Sequence, residues 1–217
     1  MMYATDTVDG ATLPVVDRGC GCGHGCTCGA CRVPDDVLVE RLVRHCAPTL
    51  AGLKCGSMFR VCTPHDGTRD SLEAVVATIS HRGVRARILR GDSCGCLIYV
   101  YRPRLLEARL SDPEVRGFLC ENGYDDCDAE GAVDRLEGRF AEMGMPHEIG
   151  VFLDYPMEDI RGYMENNGTG YKAIGCWKVY GDLDSAERRF RSYRHCRDVF
   201  TRRLAEGAPL HRLAVRA

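Results

Sequence analysis

No apolar run in these 217 residues approaches the length of a membrane span, so no membrane-spanning helix is expected. The opening residues, Met1-Met2-Tyr3-Ala4-Thr5-Asp6, lack the basic start and apolar block of a secretion signal. The expected location is therefore cytoplasmic. An excess of one charge sign is also lacking, since the formal net charge is -2. A nearly neutral chain exerts no bulk pull on nucleic acid or on an anionic membrane, and neither is expected as a partner. Glycine-rich phosphate loops of the dinucleotide or Walker type are missing. Ser57 and Ser93 lack the flanks of a nucleophile elbow, so no hydrolase triad is legible. No internal repeat is present.

Cysteine, by contrast, is abundant, with fourteen residues. In a reduced compartment such a count points to metal binding or chemistry rather than to bridges. Five thiols and one imidazole crowd into the twelve residues Cys20 to Cys31. They are Cys20, Cys22, His24, Cys26, Cys28 and Cys31. Glycines between them let the backbone wrap a small ion. Thiolates with neutral imidazole suit zinc, copper(I) or an iron–sulfur cluster. The spacing is a compact wrap and not the two separated pairs of a zinc finger.

An apolar fraction of 45% supports one real core. Residues 1–33 have no periodic apolar pattern and read as a flexible Cys/His/Gly-rich tail. Residues 34–207 read as one globular α/β domain, with α+β as the alternative, built on a mixed central sheet of about five strands flanked by helices. Residues 208–217 read as a flexible C-terminal tail.

Within the domain, Val39, Leu42, Val43 and Cys46 fall at helical spacing after Asp35 and Asp36, and Pro48 is expected to end that helix. Leu53, Cys55, Ser57, Phe59 and Val61 alternate as a strand. Asp70 to His81 predicts a second helix, stopped by Gly83. Val84 to Leu89 predicts an edge strand. Cys96 to Tyr101 predicts a central one, apolar on both faces. Three helices follow, starting at Pro103, at Asp112-Pro113 and at Asp126 or Asp128. Met145 to Pro156 then reads as a buried strand with polar groups at both ends. Pro156 to Asn166 predicts a short helix and Tyr171 to Tyr180 a last strand. Asp184 with Glu187 suggests a capping box for a final helix to about Glu206.

The candidate catalytic residues are His147, Glu148, Cys46 and Cys176. Imidazole titrates near neutrality and serves as base or ligand. Adjacent side chains on a strand diverge, so either His147 or Glu148, not both, is expected to face Tyr155 and Cys176. Cys46 lies at a helix C-terminus, whose partial negative charge disfavours a thiolate. Cys176 sits between Gly175 and Trp177, and core packing is the plainer expectation for both thiols. Cys94 and Cys96 share a strand face, and Cys55 and Cys62 flank another strand. The final helix carries Arg188, Arg189, Arg191, Arg194, Arg197, Arg202 and Arg203, which reads as a solvated face.

Four segments carry a resemblance. They are His45-Cys46-Ala47-Pro48-Thr49-Leu50-Ala51-Gly52, Tyr99-Val100-Tyr101-Arg102-Pro103, Pro146-His147-Glu148-Ile149-Gly150 through Tyr155-Pro156, and Cys176-Trp177-Lys178-Val179-Tyr180-Gly181. In order and spacing the chain resembles the bacterial family called domain of unknown function 3793. The likeness runs from about Asp35 to Ala205 and implies no activity. The cysteine-rich tail is an addition to the family pattern. The family usually has glycine before Tyr-Pro, where this chain has Asp154.

The leading expectation is a binding protein that engages a small ligand or a protein partner, with a tail that holds a soft metal. The alternative is a thiol- or histidine-dependent enzyme using Cys46 or Cys176 with His147. A second alternative is a structural or oligomerisation domain.

Overall fold

The computed structural model describes residues 34–62, 65–92, 95–125 and 128–216. The Cys20–Cys31 cluster lies outside the described residues.

Helix α1, Asp35–Leu50, opens with Asp35 and Asp36 in its first turn, where carboxylates favour the positive end of the helix dipole. Leu38, Leu42, Val43 and Cys46 form its buried stripe. Pro48 lies inside the last turn and does not end the helix. Its ring removes only the bond its own nitrogen would make, which a final turn tolerates. Strand β1, Gly56–Val61, is followed by α2, His65–Ala77, and a 3₁₀ turn, Ser80–Arg82. Helix α2 itself starts earlier and stops earlier than the Asp70–His81 spacing suggests, and the 3₁₀ turn covers the rest. Gly83 closes it at φ 75°, a left-handed conformation suited to glycine.

Strands β2, Arg85–Asp92, and β3, Gly95–Tyr101, complete an antiparallel three-stranded sheet in the order β1-β3-β2. The central place of β3 and the edge place of β2 agree with their sequence patterns. A register shift between Ile88 and Arg90 marks a bulge. Side chains alternate across β3. Cys96, Ile98 and Val100 join Leu42, Cys46, Phe59 and Ile79 on one face. Tyr99 and Tyr101 join the core beneath the later helices on the other.

Those helices are α3, Pro103–Leu110, α4, Pro113–Glu121, and α5, Ala129–Met143. Proline at the first position suits α3 and α4, because no intrahelical bond needs that nitrogen. Asp112 caps α4 by accepting from the N–H groups of Glu114 and Val115, and Asp128 caps α5 through Gly131. Ala132, Val133, Leu136 and Phe140 form the buried stripe of α5, as its spacing predicts.

The strand expected over Met145–Pro156 does not form. Pro146, His147 and Glu148 make a tight turn, with the amides of Ile149, Gly150 and Val151 donating to their three carbonyls. Helix α6, Ile149–Phe152, follows. A short apolar run is buried equally well as strand or helix, so periodicity does not separate the two. Helix α7 is Met157–Glu165. The strand expected over Tyr171–Tyr180 is instead a hairpin of β4, Ala173–Ile174, and β5, Lys178–Val179, in a separate two-stranded sheet. The chain thus forms a mixed helix-and-strand domain whose sheets are three-stranded and two-stranded among the described residues, not one five-stranded sheet.

Helix α8, Leu183–Ala205, is capped by Asp182, which accepts from Ser185 N–H, rather than by Asp184. Residues 208–216 hold a last helix, α9, Leu210–Leu213, where a flexible tail was expected. Leu210, Leu213 and Ala214 are buried against the α1 face, and Val215 N–H donates to the Leu50 carbonyl. No helix among the described residues is long and apolar enough to cross a membrane.

Candidate anion site

Arg102 joins the first two resemblance segments. Its residue is 1% exposed, yet its guanidinium meets no carboxylate in its hydrogen bonds. Nε donates to the Thr49 carbonyl, and one terminal nitrogen donates to the carbonyls of Leu50 and Val215. The other terminal nitrogen donates to Arg82 O at 3.0 Å. Thr49 and Leu50 end α1, where the carbonyls lack helical partners and carry the negative end of the dipole. A planar fork with five donors is suited to gathering them. Burial pushes the guanidinium below its usual pKa.

Tyr99 joins the second segment to the third. Its hydroxyl donates to Phe152 O at 2.8 Å, and the Cys55 thiol donates to the same carbonyl at 3.5 Å. Gly56 lies against this point, since a Cβ there would fall 2.3 Å from the Tyr99 hydroxyl oxygen. Tyr155 joins the third segment to the fourth. Its hydroxyl donates to Cys176 O at 3.3 Å, and its ring lies 5.0 Å from that of Trp177. Asp159 on α7 then pins the hairpin. Its carboxylate, 3% exposed as a residue, accepts from Trp177 Nε1 at 2.6 Å and from the amides of Tyr180 and Gly181.

A family model described as Protein of unknown function (DUF3793) matches residues 42–214. The chain belongs to this family. No curated protein and no solved structure matches the chain.

In this DUF3793 domain the third and fourth segments meet at one cationic and aromatic cluster. Lys54, between α1 and β1, is 5% exposed. Its ammonium nitrogen lies 5.7 Å from the ring centre of Tyr155 and 5.5 Å from that of Tyr193. No hydrogen bond or ion pair to a described residue accompanies these ring contacts. Asp154 is the carboxylate of the cluster. Its φ of 61° is left-handed, a conformation that glycine adopts freely and aspartate tolerates better than most residues. Arg189 of α8 donates to the Asp154 carboxylate at 2.9 Å, to the Asp154 carbonyl at 2.7 Å and to the Tyr193 hydroxyl at 3.0 Å. Its guanidinium also lies over Trp177 at 5.3 Å. Arg109 of α3 donates to Tyr155 O at 2.7 Å. Its Nε is buried without a hydrogen bond and stands 3.9 Å from the Asp154 carboxylate.

Arg109 and Arg189 flank the Asp154 carboxylate, and Asp154, Lys54 and Arg109 all act electrostatically on Cys55. The nearby acids stay protonated. Burial pushes the Cys55 thiol up to about 12, an effect that Asp154 reinforces and Lys54 and Arg109 oppose. Burial likewise pushes the Tyr193 phenol up to about 12, against the pull of Arg189.

The sequence-derived candidates lie elsewhere or at the rim. Cys46 is fully buried in the aliphatic core beneath α1. His147 is exposed on the helical side of the sheet, its ring 5.7 Å from that of Tyr163. Glu148 turns inward instead. It is 1% exposed and accepts from Arg139 Nε at 2.8 Å and from the Tyr124 hydroxyl at 3.4 Å. Its proximity raises the pKa of both partners, together with burial for Tyr124. Cys176 is half-buried and does share a side with Tyr155. The Cys46–His147 pair sits on opposite faces of the sheet, while Glu148 belongs to an ion pair in the core.

Lys54 and Arg109 escaped the sequence reading, and Arg189 was grouped with its solvated neighbours. Strand alternation over Leu53–Val61 puts Leu53 inside and Lys54 outside. The structure reverses this, with Leu53 46% exposed. Arg189 had a legible signal, since it stands three residues after Ala186 and four before Tyr193, both on the buried stripe of α8.

Proposed function

We propose that this domain is a binding protein whose folded part takes a small oxyanion between Lys54 and Arg109. The observation that carries this reading is Lys54, an almost fully buried ammonium that meets aromatic faces and no acceptor among the described residues. A buried charge without a partner is costly. An anion with several oxygens would receive charge-assisted hydrogen bonds from Lys54 Nζ and from the unbonded Nε of Arg109. Tyr155 and Tyr193 shield those bonds from water. The high pKa of Cys55 supports binding over thiol chemistry at this place, because the thiolate is the nucleophile.

Titration of the full chain with inorganic phosphate, followed by calorimetry at low salt, tests the proposal. Phosphate should bind, and Lys54→Met should weaken it at least about tenfold, equivalent to about 1.4 kcal/mol. Equal binding by both proteins would overturn the reading.

The Cys20–Cys31 segment lies outside the described residues and is proposed, on its thiol density, to hold zinc, copper(I) or an iron–sulfur cluster. Metal analysis of protein purified without oxygen should find less metal in a chain lacking residues 1–33. Equal metal contents would contradict it.

A further inference from the structure

The start of α3 faces a cavity of about 440 Å³, next to Gly52 and Val215. Its basic lining is Arg102, Arg104 and Arg216, and it includes no acidic side chain among the described residues. Its apolar lining comes from Ala51, Leu105 and Val215, among others. The volume far exceeds the roughly 30 Å³ share of one water and falls within the range of small-ligand sites.

The three arginines differ in what they have left to give. Arg102 is committed to backbone carbonyls, so it contributes a fixed buried charge beneath the cavity and few new bonds. Arg104 and Arg216 are exposed, and neither forms an ion pair with a described residue. Their forks remain available for bidentate contact with two oxygens. The backbone adds to this. No side chain caps α3, and Pro103 at its first position has no N–H. The amides of Arg104 and Leu105 therefore open from the positive end of the helix without an intrahelical acceptor.

We infer that this cavity binds a small organic carboxylate bearing a short apolar chain. The carboxylate oxygens accept from the Arg104 and Arg216 guanidinium groups and from the first-turn amides of α3. The chain lies against Leu105, Ala51 and Val215. The uncommitted arginines select for charge and the aliphatic wall selects against a bare inorganic ion. This site uses none of Lys54, Arg109 or Asp154, so it stands independently of the oxyanion proposal.

Pentanoate, pentan-1-ol and chloride, each titrated into the full chain and followed by heteronuclear NMR, test the inference. Pentanoate should saturate shifts at the Arg104 and Leu105 amides, while pentan-1-ol and chloride should leave them in place. The double variant Arg104→Gln/Arg216→Gln alters exposed side chains and should weaken pentanoate at least about tenfold. Lys54→Met should bind pentanoate as the unaltered chain does, which separates failure of this site from failure of the phosphate site. Undiminished binding in the double variant, an equal response to pentan-1-ol, or no response to pentanoate would each overturn it.

Discussion

Arg102 and Lys54 are both buried cations, and they are treated in opposite ways. Arg102 is surrounded by backbone carbonyls from α1, the 3₁₀ turn and the segment after α9. Lys54 is surrounded by aromatic rings. The first arrangement closes a region of the fold, because the carbonyls that Arg102 takes come from three separate segments of the chain. The second leaves donors open in a shielded place. A buried charge whose bonds are complete marks architecture, and one whose bonds are incomplete marks a place built for something else.

Loss of Arg102 should be the most damaging change. Arg102→Met keeps the stem but removes the side-chain donors from the carbonyls of Thr49, Leu50, Arg82 and Val215, and should cost about 3–5 kcal/mol in urea unfolding. A cost below about 1 kcal/mol would erase the distinction between the two cations. Arg139 supplies an intermediate case, a cation held by the buried Glu148 and also paired with the exposed Glu142 at 3.7 Å. Glu148→Gln removes the buried partner and leaves the exposed one, so the expected loss is smaller, about 2–3 kcal/mol.

Alkaline pH probes the surroundings of Lys54. The folded pKa values of Cys55 and Tyr193 are raised to about 12 from ordinary values of 9.0 and 10.0. An acid with a raised folded pKa stays protonated in the folded chain while the unfolded chain ionises. The stability it contributes is complete below pH 9.0 and is lost as pH climbs toward about 12. The urea midpoint should fall across that window, and Cys55→Ala should make the fall shallower. A midpoint that holds steady to high pH would contradict the burial of these groups. The smallest effect is expected at Lys54 itself. Lys54→Met should change stability by no more than about 1 kcal/mol, because the ammonium gives up few bonds. A large loss would place Lys54 in the same class as Arg102.

The sequence made some of this readable and hid the rest for physical reasons. The α1 and α5 stripes, the proline starts of α3 and α4, and the central position of β3 follow from local periodicity and capping, which a chain carries in its own order. The Met145–Pro156 strand failed because a run buried on all sides has no period to read. The α9 segment looked like a tail because its three buried residues are too few to form a pattern. The site was the least visible part. Lys54, Arg109, Asp154 and Arg189 come from four separate elements, and each alone resembles an ordinary surface charge. Only the four resemblance segments pointed toward it, and they did so through Tyr155 and Trp177 rather than through the cations.

Helix α8 runs for 23 residues, about 35 Å, as one unbroken rod. Near its start it holds Arg189 and Tyr193 in the aromatic cluster, and near its end Phe200 and Leu204 press on the core beneath α1. A rod seated at both ends cannot shift at one without levering the other. Repacking at Phe200 therefore re-aims Arg189 from a distance, and the precision of the cluster is set partly by residues that never approach it.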